Sequence, residues 1–267
     1  MKILVTGGLG FIGSHLSESL LYDKHKVIIL TRNINSKSKI IKQLPKAIIE
    51  KVDVTDFQKF SKIIKKHKPD VIFHLAGETS HQNSFKNPMH DIDVNAKSTL
   101  CILETIRNFI PKCRLILGST FIVIGKPEKL PVNENTKCNP TTIYGANRLT
   151  SEHFCNIYHN VYGLDILSFR ITNSFGPREQ YKTPKKNALN YLIYKSFKKE
   201  KVTIYNHGEF FRDVIFITDV ISGLKTILHK GKSGELYWIS SGKKTWFYDI
   251  GKYLKKFTNA TIVYENP

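Results

Sequence analysis

Three groups of residues in this chain are spaced for chemistry. The run Thr6-Gly7-Gly8-Leu9-Gly10-Phe11-Ile12-Gly13 follows the apolar stretch 2–5 and leads into an amphipathic run that reaches residue 21. That order reads as a strand turning through a glycine loop into a helix, the arrangement that cradles the pyrophosphate of a dinucleotide. Gly7, Gly10 and Gly13 divide the work: a tight turn, close approach of backbone to phosphate, and close packing of helix on strand. Phe11 and Ile12 open the helix whose positive end faces the anion. Further along, Tyr144 and Arg148 stand four residues apart, on one face of a helix. A phenol beside a fixed cation can have its pKa of about 10 lowered and exchange a proton with a sugar hydroxyl or carbonyl. Thr120, just past a strand end in Gly118-Ser119-Thr120-Phe121, offers a hydroxyl to the same oxygen. Taken alone, a tyrosine and an arginine one turn apart describe the decoration of a helix surface equally well. The second strand ends in Thr31 and Arg32, with no acid to accept hydrogen bonds from ribose hydroxyls. Arg32 supplies a cation for a 2′-phosphate, which favours NADP(H) over NAD(H); the other reading is that it stacks on adenine without choosing.

These groups need a scaffold, and the hydrophobic pattern supplies one. Strands are predicted at 2–6, 26–30, 47–52, 71–75, 114–118 and 165–171, with helices at 11–21, 56–66, 91–109 and 144–162. The alternation predicts an α/β fold of Rossmann type, a doubly wound parallel sheet over residues 1–173. After residue 173 the rhythm changes to short strands at 202–205 and 235–239 and helices at 187–199, 218–229 and 246–257. Residues 174–267 therefore read as a smaller C-terminal α/β lobe that binds substrate and is interleaved with the first domain.

Composition bounds the function. The 267 residues carry 41% hydrophobic and 24% charged side chains, which are globular values. No apolar run approaches the ~18 residues of a membrane span, and the chain enters its first strand directly, so neither a membrane segment nor a signal peptide is expected. Cys101, Cys113, Cys138 and Cys155 form no CxxC pair; they read as reduced thiols of a cytoplasmic protein, not a metal site. The net charge of +19 comes from lysines spread over helix faces and from a lean toward Lys, Ile and Asn, so nucleic-acid binding is not expected. Such a field attracts an anionic substrate, for instance a nucleoside diphosphate.

Several motifs fall in order along the chain: the glycine run 6–13, Asp53-Val54, His74-Leu75-Ala76-Gly77, Asn95, Gly118-Ser119-Thr120, Tyr144-Gly145, Arg170-Ile171-Thr172-Asn173, Phe175-Gly176-Pro177-Arg178 and Arg212-Asp213. Together they resemble the extended short-chain dehydrogenase/reductase family, and within it the nucleotide-sugar enzymes like UDP-glucose 4-epimerase. The resemblance implies that Asp53 and Val54 hold the adenine, and that Leu75, Ala76, Gly77 and Asn95 line the cofactor groove. It makes Thr120, Tyr144 and Arg148 catalytic. Glu78, Ser80, Thr120, Asn173, Arg178 and Arg212 would contact a nucleoside-diphosphate sugar, and homodimers are common among such relatives.

The chain also departs from that pattern. Arg148 stands where the family has lysine, and Ile124 where it often has tyrosine. Phe121 and Ile122 occupy the positions at which 4,6-dehydratases carry Asp-Glu, so dehydration is not expected. Relatives run several dozen residues beyond position 267, which leaves the sugar pocket open, completed by another chain, or absent. The expectation is an NAD(P)-dependent epimerase acting by hydride transfer at a sugar carbon, C4 in the first instance, with Tyr144 as acid/base. The alternatives are an NADPH-dependent reductase of 4-keto sugar nucleotides and a non-catalytic dinucleotide- or sugar-nucleotide-binding protein.

Overall fold

A strand covered on both faces must be apolar at every position, and Ile3-Leu4-Val5, Val27–Leu30, Val71–Phe73 and Leu115–Leu117 are all buried. The structure, a computed structural model, describes residues 1–34, 38–182 and 188–266. The chain opens with β1 (Lys2–Thr6), α1 (Phe11–Tyr22), β2 (Lys26–Thr31), α2 (Ser38–Lys42), β3 (Ile48–Lys51), α3 (Phe57–His67) and β4 (Val71–His74). It continues through α4 (His81–Lys86), α5 (Pro88–Ile92), a π-helical turn (Asp93–Lys97), α6 (Ser98–Phe109) and β5 (Arg114–Thr120). A 3-10 turn (Phe121–Ile124) precedes α7 (Ile143–Tyr162), β6 (Ile166–Ile171), β7 (Asn173–Phe175), α8 (Ala188–Phe197) and β8 (Val202–Tyr205). The remainder is β9 (Phe211–Arg212), β10 (Val214–Phe216), α9 (Ile217–Lys230), β11 (Leu236–Ile239), β12 (Thr245–Trp246), α10 (Phe247–Thr258) and β13 (Ile262–Glu265).

Seven strands form one sheet in the order β3-β2-β1-β4-β5-β6-β11, with every neighbouring pair parallel. The order reverses at β1 and β4, which opens the crevice where such sheets take their ligands. Leu4, Ile28, Leu30, Ile72, Leu115 and Leu117 point to one face and pack with Phe60 and Ile64 of α3 and Ile102, Leu103 and Ile106 of α6. The basic side of α3 faces outward: Lys59, Lys62 and Lys66 are exposed, and Lys66 pairs with Glu50 at 2.8 Å. The buried ion pair of Arg170 on β6 with Glu152 on α7, at 2.7 Å, ties α7 to the sheet.

The chain divides into two units, Met1–Ile171 with Ile221–Ile239, and Thr172–Val220 with Ser240–Pro267. The expected lobe 174–267 is thus not continuous. Residues 235–239, expected in the lobe, supply β11, which pairs with β6 from Leu236 opposite Ser168 to Ile239 opposite Ile171. The last parallel strand returns to the sheet after a long excursion, and the local pattern does not record that return. The second unit has three two-stranded sheets, β7 with β10, β8 with β13 and β9 with β12. Its core gathers Leu189, Leu192, Val202, Ile204, Phe247, Ile250 and Leu254, with the rings of Phe210 and Phe247 stacked at 4.3 Å. Of the helix expected at 187–199, Asn187 lies outside the described residues. The single helix expected at 91–109 is instead α5, the π turn and α6. In that turn Asn95 O accepts hydroxyls from Thr99 and Ser151, at 3.2 and 2.7 Å.

Candidate active site

The glycine turn sits at the end of β1, beside the reversal of strand order. Gly7 has φ +66°, and a Cβ there would stand 3.1 Å from the backbone of Ala76. A Cβ on Gly13 would run into the carbonyl of Gly7. Gly10 N donates to Gly7 O at 2.8 Å, and Gly7 N donates to Leu30 O at 3.0 Å. The start of α1 carries no side-chain cap and no acid in its first turn, which suits its N–H groups to an anion. Phe11 and Ile12 are half-buried there.

Beneath this turn runs a buried chain of hydrogen bonds. Leu75 N and Ala76 N donate to Thr6 Oγ1 at 3.1 and 3.0 Å, so the threonine's own proton is directed at His74 Nδ1, 2.8 Å away. His74 Nε2 then donates to Ser98 Oγ at 3.1 Å, and Ser98 donates to Val94 O at 2.6 Å. Burial, followed by the Arg148 charge, lowers the imidazole from an ordinary 6.5 to about 3. His74 is therefore neutral, and it pins the segment Leu75–Ala76 against the end of β1. At the far end of the crevice, Thr31 closes β2 and donates to Asn33 O at 3.3 Å, while Arg32 is exposed. Asp53 accepts from Thr55 N and Oγ1 at 3.0 and 2.8 Å. Burial opposes ionisation of Asp53, but the Thr55 hydrogen bonds and the Arg32 charge outweigh it and hold the carboxyl below its usual range. Val54 follows, half-buried.

Tyr144 lies in the first turn of α7, which Thr142 caps by accepting from Gly145 N at 3.0 Å. Its phenol is 7% exposed and hydrogen-bonds Thr120. Burial pushes the phenol above its ordinary value of 10; Arg148 and the Thr120 hydrogen bond counter only part of this, and Asp91 and Glu78 add to it. The sequence-based expectation that Arg148 leaves the phenol lowered does not hold for the protein alone, because desolvation outweighs the cation. Arg148, 5% exposed, has no hydrogen-bond partner for Nε or Nη1 among the described residues. A Cβ on Gly77 would lie 3.5 Å from Arg148 Nη1 and 2.8 Å from Asn95 Oδ1, itself without a partner. Asn95 Nδ2 meanwhile donates to Glu78 O at 3.1 Å. Glu78 accepts from Ser80 N at 3.0 Å, and Ser80 Oγ caps α4 by accepting from Asn83 N at 3.2 Å. The serine hydroxyl expected at the substrate also serves the helix, and accepting that bond leaves its own proton to donate.

In the second unit, Asn173 Nδ2 donates to Asp213 O at 3.1 Å. Exposed Arg212 donates to Phe211 O at 2.8 Å with its guanidinium 5.5 Å from the Phe210 ring. Arg178 stands on the turn after Gly176 at φ +68°. The organising side chain is Asp213, to which the motif Arg212-Asp213 assigned no role. Its Oδ1 accepts from Thr172 Oγ1 at 3.0 Å and from Ser241 N at 2.9 Å, and its Oδ2 accepts from Gly242 N at 2.8 Å.

Residues 3–240 match the model of the NAD dependent epimerase/dehydratase family. The chain belongs to this family. It is 30% identical to the UDP-glucose 4-epimerase of Mycolicibacterium smegmatis, over 92% of this chain and 79% of that protein. Its fold matches the crystal structure of UDP-glucose 4-epimerase with UDP-glucose from Thermotoga maritima with a TM-score of 0.91 at 28% identity, covering 100% of this chain and 86% of that one. It matches the UDP-glucuronic acid 4-epimerase of Bacillus cereus, in complex with UDP-glucuronic acid and NAD, with a TM-score of 0.88 at 28% identity and the same coverage. Relatives named dTDP-glucose 4,6-dehydratase also match, at 27–30% identity.

This member of the epimerase/dehydratase family is built for a dinucleotide. The cradle at Gly7 and Gly13 would be filled by a Cβ, and Arg148 is buried with two nitrogens unpartnered; both fit an NAD(P) cofactor. Among the described residues there is no cluster that could hold a metal ion and no helix long and apolar enough to cross a membrane. Sequence reasoning passed over Asp91 on α5 and Asn147 on α7, whose side chains join at 2.7 Å. Asn147 sits inside the stretch 144–148, but its partner is 56 residues away, and nothing local points to it.

Proposed function

We propose that the protein is a nucleotide-sugar epimerase, with Tyr144 as the acid/base that serves the C4 oxygen of a nucleoside-diphosphate sugar. The observation that carries this reading is the buried Tyr144–Thr120 hydrogen bond one turn from Arg148, whose Nε and Nη1 have no partner among the described residues. Gly7, Gly10 and Gly13, the start of α1, Leu75, Ala76, Gly77 and Asn95 would hold the dinucleotide, with Asp53 and Val54 at its adenine end. Once bound, the dinucleotide supplies acceptance and return of a hydride. Tyr144 Oη takes the proton of the sugar hydroxyl as the carbonyl forms and gives it back as the hydroxyl is restored. Thr120 Oγ1 holds that oxygen, and Arg148, which cannot lose its proton at working pH, favours the phenolate. Asn173, Arg178 and Arg212 would take the nucleoside diphosphate. The turn Phe121–Ile124 carries no acid or base, so this site does not expel water as the dehydratase relatives do.

Exposed Arg32 and the lack of an acid at the end of β2 support NADP(H) over NAD(H), and with it a second reading as a 4-keto reductase. Exposed Phe109 on α6 and Ile157, Val161 and Tyr162 on α7 support a homodimer. The four separated free cysteines support a cytoplasmic protein. The test is incubation with UDP-glucose, with NAD or NADP added, and analysis of the nucleotide sugars by chromatography. Formation of UDP-galactose without net change in cofactor absorbance is expected. Loss of water from the substrate, or consumption of reduced cofactor with a 4-keto sugar nucleotide alone, would replace the epimerase reading.

A further inference from the structure

Asp91, on α5, is 1% exposed. Its Oδ1 accepts a hydrogen bond of 2.7 Å from Asn147 Nδ2, and its Oδ2 has no hydrogen-bond partner among the described residues. Asn147 lies between Tyr144 and Arg148, so this bond fastens the catalytic turn of α7 to α5. One turn later, Ser151 Oγ donates to Asn95 O at 2.7 Å and fastens the same helix to the π turn. A carboxylate this deeply buried with a single hydrogen bond is costly unless another charge balances it. The buried cation on α7 is Arg148, and it too has unmet hydrogen-bonding capacity.

We propose that Asp91 is a positioning residue for Tyr144: through Asn147 it sets where the phenol stands, and through its charge, set against that of Arg148, it sets how readily the phenol ionises. The groups facing Tyr144 are Arg148 on its own helix, Thr120 from β5, Glu78 from the segment after β4, and Asp91 from α5. Of the other elements packed against α7, the 3-10 turn has no titratable side chain, Glu104 of α6 pairs with Arg107, and Arg170 of β6 pairs with Glu152. The π turn pairs its Asp93 with Lys97 at 2.7 Å, and Lys86 of α4 is exposed. Arg148 and Asp91 therefore act on the phenol in opposite directions, and Arg148 alone would leave it easier to ionise. This arrangement gives the free protein a protonated phenol and lets added positive charge in a loaded site release it.

The inference rests on Tyr144 as the acid/base, and its test separates the two. Tyrosinate absorbance is titrated on the protein alone, and subtracting the Tyr144→Phe curve isolates this phenol from the other tyrosines of the chain. In Asp91→Asn, which keeps shape and an acceptor for Asn147 but drops the charge, Tyr144 is expected to ionise on the order of one pH unit lower. Asp91→Glu is expected to restore the parent curve. Where Asp91→Asn fails to fold by circular dichroism, Asp91→Ser is used, with the same expected direction. A Tyr144 curve that does not move overturns the inference whatever the protein turns over. With UDP-glucose as substrate, the acid limb of kcat/KM is expected to shift to lower pH by the same amount. A reduced kcat/KM with an unmoved limb would make Asp91 a clamp only and overturn its charge role.

Discussion

The dinucleotide cradle and α7 belong to one unit and are built on opposite terms. The floor of the cradle is neutral and paired: Gly7 N, Gly10 N, both sides of the Thr6 hydroxyl and both ring nitrogens of His74 have partners, and only the uncapped start of α1 is left for a ligand. Helix α7 and its neighbours bury charged and polar groups that lack partners among the described residues, at Arg148 Nε and Nη1, Asp91 Oδ2 and Asn95 Oδ1. Each buried polar group left unsatisfied costs about 1–3 kcal/mol. The difference separates stability from activity. The cradle holds the sheet ends in register, whereas the helix stores hydrogen-bonding capacity that a bound ligand can use.

The largest expected effect attacks the helix. Tyr144→Phe should lower kcat by about 10²–10⁴-fold while dinucleotide affinity, measured by calorimetry, stays within a few-fold. Activity within twofold of the parent would remove Tyr144 from the reaction. Arg32→Ala probes the selective rim of the cradle: NADP(H) binding should weaken by about 1.5–3 kcal/mol with NAD(H) nearly unchanged. Equal losses for both cofactors would rule out recognition of the 2′-phosphate.

The cradle's buried histidine makes a prediction about stability. His74 falls from 6.5 to about 3 on folding, so the unfolded chain takes up a proton that the folded one refuses. Its contribution is complete above pH 6.5 and is lost as pH falls from there toward 3; between pH 7 and 5 the loss is about 2 kcal/mol. Urea unfolding at the two pH values should show this fall in the parent and not in His74→Asn, and equal slopes would refute the assignment. The smallest effect is expected for Arg148→Lys. An ammonium keeps the charge and points its donors freely, so kcat should stay within about threefold and dinucleotide binding should hold or tighten. A tenfold or greater loss of kcat in a folded variant would show that the planar fork is required.

Much of the cradle was legible in the sequence because its determinants are local. Glycine spacing, the strand before it and the helix after it are set by backbone dihedrals within a dozen residues, and the alternation of apolar runs predicts the parallel sheet. The pair Tyr144 and Arg148 was legible too, since helical periodicity alone puts them on one face. The second unit was harder: β7, β9, β10, β12 and β13 are two to four residues long and pair only across the fold, and Asp213 draws its partners from positions 172, 241 and 242.

What the sequence determined by itself was therefore the type of fold, the glycine cradle and the placing of Tyr144 and Arg148 on one helix face, each written in short-range spacing. Tertiary structure alone decided that 236–239 returns to β6, that 93–97 opens into a π turn, that Asp91 meets Asn147, and that burial outweighs Arg148 at the Tyr144 phenol. Desolvation and long-range pairing depend on which distant residues exclude water from a site, and no local spacing encodes that.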